Sequence, residues 1–451
     1  MKPNEKSLAA SSMDRDWNLI DALRAGTPGM RAAGKTYLPK RPLEEESEYT
    51  ARLGVATLFP AFTETVTSMV GRVFAEPLIE NEDVPRWIRD EVIPDVDLQG
   101  RSLHVFARHW FDEALAYGLS HCLIESPRTD GVQTREQQRA ARIRPYLIQI
   151  SPRSILGWKT GQDGKVSQVR IAWSRTEDVG EFGERKVEQV RVYEPGRVRV
   201  FERSDDSWAQ VDDIQTGFDG IPLVTLYTGR TGLMNARPPL RELAYLNAKH
   251  WAKQSSNDAL IDTASVPILA MFGIKDSSEP VVIGAKHAVQ LPLGADMKFI
   301  EHSGAAIGAG REDLDSLKDE MRQAGAKLLA QGSGQAKTAA QISEESARDN
   351  SALGDMVQSL SDALAQVLDA VAAYRGEAKG GTVRLQPNLD PDEAPNDSMR
   401  VLIDMAARGM LSEQTVFAES KRRGLVSNDA SWEDEQVRIR EHGSQTTGAA
   451  A

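Results

Sequence analysis

The 451-residue chain predicts an α+β fold, and three observations carry that prediction. Segments near both ends of the chain space apolar residues by three and four, the signature of amphipathic helices. Residues 143 to 228 switch to short β-branched runs separated by Gly, Asp and Ser clusters. Two helical patterns of matched length then bracket a strand-like insert.

The first helical stretch covers residues 14 to 80. In "DWNLIDALRAG", Trp17, Leu19, Ile20 and Leu23 define an apolar face and Gly26 supplies a stop. Pro39 and Pro42 mark a loop. "ESEYTARLGVATLFPAFTETVTSMVGRVF" is helical with an interruption at Pro60, and the acidic run "EEESE" (44–48) reads as a solvated helix start. Residues 101 to 117 form a further helix with Leu103, Phe106, Trp110, Ala114 and Leu115 on one side.

The β block follows as "RPYLIQI", "VSQVRIAW", "EQVRVYE", "RVRVFER" and "PLVTLYT", with "EPGR" (194–197) as a hairpin turn. Pro238 and Pro239 then suit the first turn of a helix carrying Leu240, Leu243, Ala244, Leu246, Ala248 and Trp251. After the strand-like "SVPILAMFGI", "PVVIG", "AVQLPL" and "MKFIEH", a second helix near 310–329 places Leu314, Leu317, Met321, Ala324 and Leu328 on a heptad seam. Helices of about 22 to 24 residues span roughly 33 to 36 Å, so the pair predicts an antiparallel stalk with a β-rich tip.

A long helix over 339–375 carries Leu353, Met356, Val357, Leu360, Leu364, Val367, Leu368 and Val371, ends at Gly376, and is expected to kink near Asn350 and Gly354. The linker "QPNLDPDEAPND" separates a last helical unit, in which Ser412 caps a helix that opens with Glu413. The terminal "GSQTTGAAA" reads as disordered.

Composition excludes several classes. Net charge is −12 and the isoelectric point about 5.3, which argues against tight wrapping of DNA or RNA. No run of 18 apolar residues predicts a membrane span, and the polar opening "MKPNEKSLAASSMDRD" predicts no secretory signal. The single cysteine, Cys122, has no intrachain partner and points to synthesis in a reducing compartment.

No catalytic constellation emerges. "QGSGQAKTAA" (331–340) has the vocabulary of a phosphate-binding loop, with Lys337 and Thr338 as its final pair. Ala336 stands where the second glycine belongs and Gln331 where the first does, and the loop follows a heptad helix instead of a strand. Thr338 and Gln341 fit a capping box better, with Gly332 and Gly334 loosening a helix-to-helix turn. His104, His109 and His121 lack partners at metal-ligand spacing, and "GLSHC" (118–122) lacks a nucleophile elbow. No cofactor, metal or enzyme activity is expected.

The order of parts resembles the portal proteins of tailed bacteriophages. "YLPKRPLEEESEYTARLGVATLFPAFTETVTSMVGRVFAEP" (37–77), "PPLRELAYLNAKHWAKQSSNDALIDTASVPILAMFG" (238–273) and "DEMRQAGAKLLAQG" (319–332) are similar to a portal-like family long catalogued as a domain of unknown function. "GMLSEQTVFAESKRRGLV…WEDEQVRIREH" resembles the ending of many portals.

The resemblance implies a wing at 1–236, a first stem helix at 237–262, a β-rich clip at 263–304 and a second stem helix at 305–330. A tunnel loop at 331–338, a long wing helix at 339–376, a crown at 377–441 and a disordered tail at 442–451 complete it. It further implies a ring, usually dodecameric, at one capsid vertex of the virion, assembled in the host cytoplasm. Double-stranded DNA passes non-specifically through its channel, and the terminase large subunit, head-tail adaptors and the major capsid or scaffolding protein dock on it. Gln331, Gly332, Ser333, Gly334, Gln335 and Lys337 are then candidate channel-lining residues. Leu314, Leu317, Met321 and Leu328 are candidates for packing between subunits, and Asp313, Asp315 and Glu320 are candidate channel acids. The competing readings are a nucleotide-dependent enzyme built on Lys337 and a helical scaffold or adaptor without a channel.

Overall fold

The computed structural model describes residues 2–127, 144–204, 207–216, 218–265, 268–272, 294, 296–300, 305–327, 351–388, 395–422, 426 and 430–447. The chain divides into two compact units, Met1–Asn388 and Leu389–Ala451. The first is a helical body with an attached antiparallel sheet, so the α+β expectation holds.

The body opens with α1 (Leu8–Ser11), α2 (Asp14–Arg24), α3 (Gly26–Ala33), α4 (Glu46–Val55) and α5 (Ala61–Val73). Helix α2 stops at Arg24, close to the stop predicted at Gly26, which opens α3 with a positive φ of 69°. The Pro60 interruption is equally real: α4 ends at Val55 and α5 begins only at Ala61. Strand β1 (Ile79–Glu80) and one π-helical turn at Ile88–Val92 lead to α6 (Leu103–Tyr117), which Ser102 caps by accepting from the Val105 N–H. All five apolar residues expected on its inner face are at most 1% exposed.

Gly118 closes α6 at φ 90°, and a Cβ there would come within 2.9 Å of the Arg237 carbonyl, so only glycine makes this turn. The chain then enters β2 (Leu119–Glu125), the middle strand of a three-stranded sheet with β3 (Tyr146–Ile150) and β9 (Leu223–Tyr227). A five-stranded meander runs β4 (Ile155–Thr160), β5 (Val166–Val179), β6 (Gly183–Glu194), β7 (Arg197–Ser204) and β8 (Ser207–Gln215) in chain order. Pro195 and Gly196 form the expected two-residue turn between β6 and β7. Strands β2, β4 and β8 had no separate sequence signal. The first is buried on both faces and so lacks alternation.

A ribbon of β10 (Arg230–Gly232) and β11 (Asn235–Ala236) precedes α7 (Arg241–Ala264). Pro238 and Pro239 sit just ahead of this helix, not inside its first turn. Strands β12 (Ile268–Phe272) and β13 (Asp296–Ile300) pair antiparallel and lead to α8 (Ala305–Ala326). "PVVIG" and "AVQLPL" lie outside the described residues.

Helix α9 (Ala352–Ala373) packs on β9 and β2 with its predicted apolar face inward, each of the eight residues at most 8% exposed. Ser351 caps it by accepting from the Gly354 N–H at 3.2 Å. Ser351, in an extended conformation, starts the described helix and Gly354 falls in its first turn; Asn350, at the expected kink, lies outside the described residues. Residues 339–350 lie outside the described residues. Strand β14 (Val383–Arg384) pairs with β1, so 377–388 belong to the first unit and not to the C-terminal one.

The second unit holds α10 (Pro395–Ala407), α11 (Glu413–Arg422) and α12 (Trp432–Thr447). Ser412 caps α11 as expected, accepting from the Thr415 N–H at 3.1 Å. Helix α12 runs through Thr447, so the start of the expected disordered tail is helical. Among the described residues no helix is long and apolar enough to cross a membrane.

Candidate functional site

Helices α7 and α8, with 24 and 22 residues, are about 36 and 33 Å long at 1.5 Å per residue. Lys253 faces Asp313 at 2.5 Å and Asn257 faces Gly310, so the positions run in opposite directions and the pair is antiparallel. A Cβ at Gly310 would meet the Asn257 Oδ1 at 2.4 Å, and one at Gly325 would meet the Thr65 Cγ2 at 3.0 Å. The two glycines let α8 lie close to α7 and to α5. The pair and the β12–β13 ribbon occupy the positions at which the sequence expects a stalk and its tip.

Its root is held at four levels. Asp16 on α2 accepts from Arg241 and from the Tyr245 hydroxyl, both at 2.8 Å. One turn on, the Asn247 amide accepts from the Phe62 N–H at 3.0 Å and donates to the Phe59 carbonyl at 2.8 Å. The break at Pro60 leaves the Phe62 N–H without a helical partner, and a buried backbone group needs one; the Phe59 carbonyl also accepts from the Ala61 N–H at 2.9 Å. Asn247 is fully buried and fills the gap.

Next, Arg52 on α4 grips Glu44 with two hydrogen bonds of 2.5 and 2.7 Å and reaches Ser255 on α7 at 3.3 Å and the Pro39 carbonyl at 3.1 Å. Both side chains of the ion pair are under 8% exposed. The Arg52 hydrogen bond holds the Glu44 carboxyl down at about 2. The sequence expectation of a solvated acidic run is therefore corrected at Glu44, which is buried against Arg52. Glu48 does serve the helix start, accepting from the Glu45 N–H at 3.1 Å. Finally, Lys253 and Asp313 join the two stalk helices.

His250 is 1% exposed, its ring 5.4 Å from that of Phe59, and both ring nitrogens lack hydrogen-bond partners among the described residues. Burial, with Lys318 nearby, pushes its pKa below the usual histidine value.

Of the stem residues predicted from sequence, Leu314, Leu317 and Met321 are 5%, 2% and 2% exposed within the single chain. Their area is consumed by packing on α7 and α5, so little of it remains for a second subunit. The exposed face of α8 instead carries Arg311, Glu312, Asp315, Asp319, Glu320 and Arg322. Of the candidate acids, Asp313 pairs with Lys253 and Asp315 with Lys318 at 3.1 Å, while Glu320 has no ion partner among the described residues. Gln331, Gly332, Ser333, Gly334, Gln335, Lys337, Leu328 and the Thr338–Gln341 cap lie outside the described residues.

"GLSHC" becomes the end of α6 and the start of β2. Adjacent strand residues point to opposite faces, so Ser120 donates to Glu113 at 2.6 Å while His121 meets Thr225 at 2.9 Å. Burial pushes the His121 pKa down to about 3 and the Cys122 thiol up. His104 accepts from the Leu78 N–H at 3.3 Å. Among the described residues no cluster of three or more His, Cys, Asp or Glu side chains is placed to hold a metal.

Sequence reasoning missed Arg52, Asn247 and His250, three polar residues at buried positions. Only the proline break hinted at one of them, because it creates backbone groups that some side chain must satisfy.

A family described as a domain of unknown function (DUF4055) matches residues 239–375, a stretch that includes α7, α8 and α9. Two of the segments similar to the portal-like family, 238–273 and 319–332, fall almost wholly inside it, and 37–77 falls outside. Among solved structures, a chain from the virion of a native gene transfer agent particle is similar at 15% identity with a TM-score of 0.45, covering 87% of this chain and 97% of that one. A chain from the neck of the empty particle, computed with C6 symmetry, gives 16%, 0.44, 81% and 89%. One from the neck of the native particle, computed with C12 symmetry, gives 16%, 0.42, 88% and 98%. No curated protein is a significant match.

Proposed function

We propose that the chain is the subunit of a portal ring, a structural protein of a phage-like particle without enzymatic chemistry of its own. The observation that carries this reading is the stalk: two antiparallel helices of 24 and 22 residues, joined by a strand-paired insert and rooted in a helical body. The family match over 239–375 spans that stalk and supports the portal-like resemblance of the segments there. A scaffold without a channel has no need of a tip carried on a rigid stalk.

On this reading the β12–β13 tip corresponds to the clip, where terminase and head-tail connector proteins dock. Copies are arranged around an axial channel, and genomic DNA passes through it without base recognition. The net charge of −12 keeps phosphates from sticking to the wall. Because Asp313 and Asp315 are already ion-paired, Glu320 is the strongest candidate for a channel acid on α8. Gln331, Gln335 and Lys337 then touch the passing backbone transiently.

Replacing Gln331, Gln335 and Lys337 together by Ala tests the loop. Packaging or DNA retention should fall while assembly is unchanged, and wild-type packaging by the triple variant would sink this role. The ring itself is tested by negative-stain imaging of the purified chain, with a central hole as the expected result and discrete monomers as the contrary one.

A further inference from the structure

The stalk root buries an imidazole beneath a thin cover. His250 is buried, and Phe59 packs on its ring from the short loop that joins α4, ending at Val55, to α5, starting at Ala61. Phe59 is itself 36% exposed and Pro60 beside it is exposed, so the lid over the imidazole is one side chain thick. Three hydrogen bonds tie the loop down. Arg31 donates to the Ala56 carbonyl at 3.0 Å, the Leu58 N–H donates to Thr27 at 3.1 Å, and Asn247 donates to the Phe59 carbonyl at 2.8 Å.

This setting suits a neutral ring only. Neither ring nitrogen has a hydrogen-bond partner among the described residues, and the buried Oδ1 of Asn257 has none either. Asn257 lies seven residues along α7, about 10.5 Å by helical rise, too far to accept from the ring.

The charges that neighbouring elements bring to α7 are repulsive or engaged. Lys318 on α8 is a cation that disfavours a proton on the ring, and it pairs with Asp315 at 3.1 Å. Asp313 on α8 is taken by Lys253 at 2.5 Å. Arg52 on α4 holds Glu44, Asp16 on α2 holds Arg241, and Glu64 on α5 is exposed. On α7 itself Lys249 is exposed, and Asp258, which favours the proton, accepts from Gln254 at 2.7 Å. A protonated ring would therefore be buried near a like charge, with two N–H donors and no acceptor in reach.

We propose that His250 is an acid-sensitive latch, in which proton uptake drives the ring from under Phe59, lifts the loop off Asn247 and loosens the stalk root. The loosening is local. Glu44, held down at about 2, stays ionised while the latch opens, so the Arg52 clamp remains shut. The latch belongs to a single chain and does not rest on the ring reading.

Amide exchange in the full-length protein, corrected for the intrinsic effect of pH, tests it at Phe62, whose N–H donates to Asn247. Between about pH 7.5 and 5.5, protection at Phe62 should fall about five- to tenfold, ten being the limit for one group of ordinary pKa near 6.5. In His250→Leu the fall should be less than about twofold. Lys318→Glu keeps the histidine and sets a carboxylate where the ammonium stood, and it should at least halve the loss. Low urea should barely change Phe62 exchange at pH 5.5 while accelerating that of Leu364, buried on α9, because local opening exposes little surface.

No loss in the parent, or the parent's full loss in either variant, would overturn the latch. Equal urea dependence at Phe62 and Leu364 would show global unfolding in place of local opening and would overturn it as well. Each of these outcomes leaves the ring reading to its own imaging test.

Discussion

Asn247, on the first stalk helix, accepts a hydrogen bond at 3.0 Å from the backbone N–H of Phe62, 185 residues away in the chain. With the partner bond to the Phe59 carbonyl, one side chain repairs the proline break and fixes the stalk to the body. Replacing Asn247 by Leu strands the Phe62 N–H, worth about 1 to 3 kcal/mol when left buried and unpaired, while the Phe59 carbonyl keeps its bond from the Ala61 N–H at 2.9 Å. Amide exchange at Phe62 should accelerate and the apparent Tm should fall. An unchanged exchange rate at that amide would show that the bond is incidental.

The Glu44–Arg52 pair predicts a window of acid sensitivity. The Glu44 pKa is lowered to about 2 in the folded chain, from the ordinary glutamate value of 4.5. Its contribution is therefore complete above about 4.5 and is lost as the pH falls toward 2. Arg52→Met should flatten the stability curve in that window. It should also destabilise at neutral pH, by about 3 to 5 kcal/mol for a broken buried pair. An acid profile identical to that of the parent would contradict the assignment.

His250 acts at higher pH with the opposite origin. Burial depresses its pKa, so the unfolded chain binds the proton first and stability declines as the pH drops below about 6.5. His121 and His104, also depressed, add to the same slope. His250→Leu should reduce the slope below about pH 6.5. Proton-uptake titration during unfolding of the parent and of each variant assigns the uptake to its residue.

Leu317 is buried inside one chain, which separates stalk folding from assembly. Leu317→Ala should cost about 2 to 5 kcal/mol through the cavity it leaves. If the packing is intrachain, the drop in Tm is the same at every protein concentration. A loss that vanishes upon dilution would return this residue to the interface between subunits.

Periodic features of this fold were legible in the sequence, and long-range polar ones were not. The faces of α6 and α9 follow from spacing alone, because each buries one continuous apolar stripe. The matched stalk lengths, the Gly26 stop, the Pro60 break and the Ser412 cap are local and were equally readable. Arg52, Glu44 and Asn247 were hidden because their partners are set by tertiary approach. Glu44 also sat in an acidic run that looks solvated. The heptad seam at Leu314, Leu317 and Met321 was visible, but not whether its partner lay in the same chain. Spacing predicts that a stripe is buried, and only packing decides against what.

The central claim is that copies of this chain assemble around an open axis. Negative-stain averages of the purified full-length protein test it most directly. The account predicts closed rings with a central hole wide enough for duplex DNA and stalks projecting to one side. Monodisperse single subunits, or closed assemblies without a hole, would contradict it.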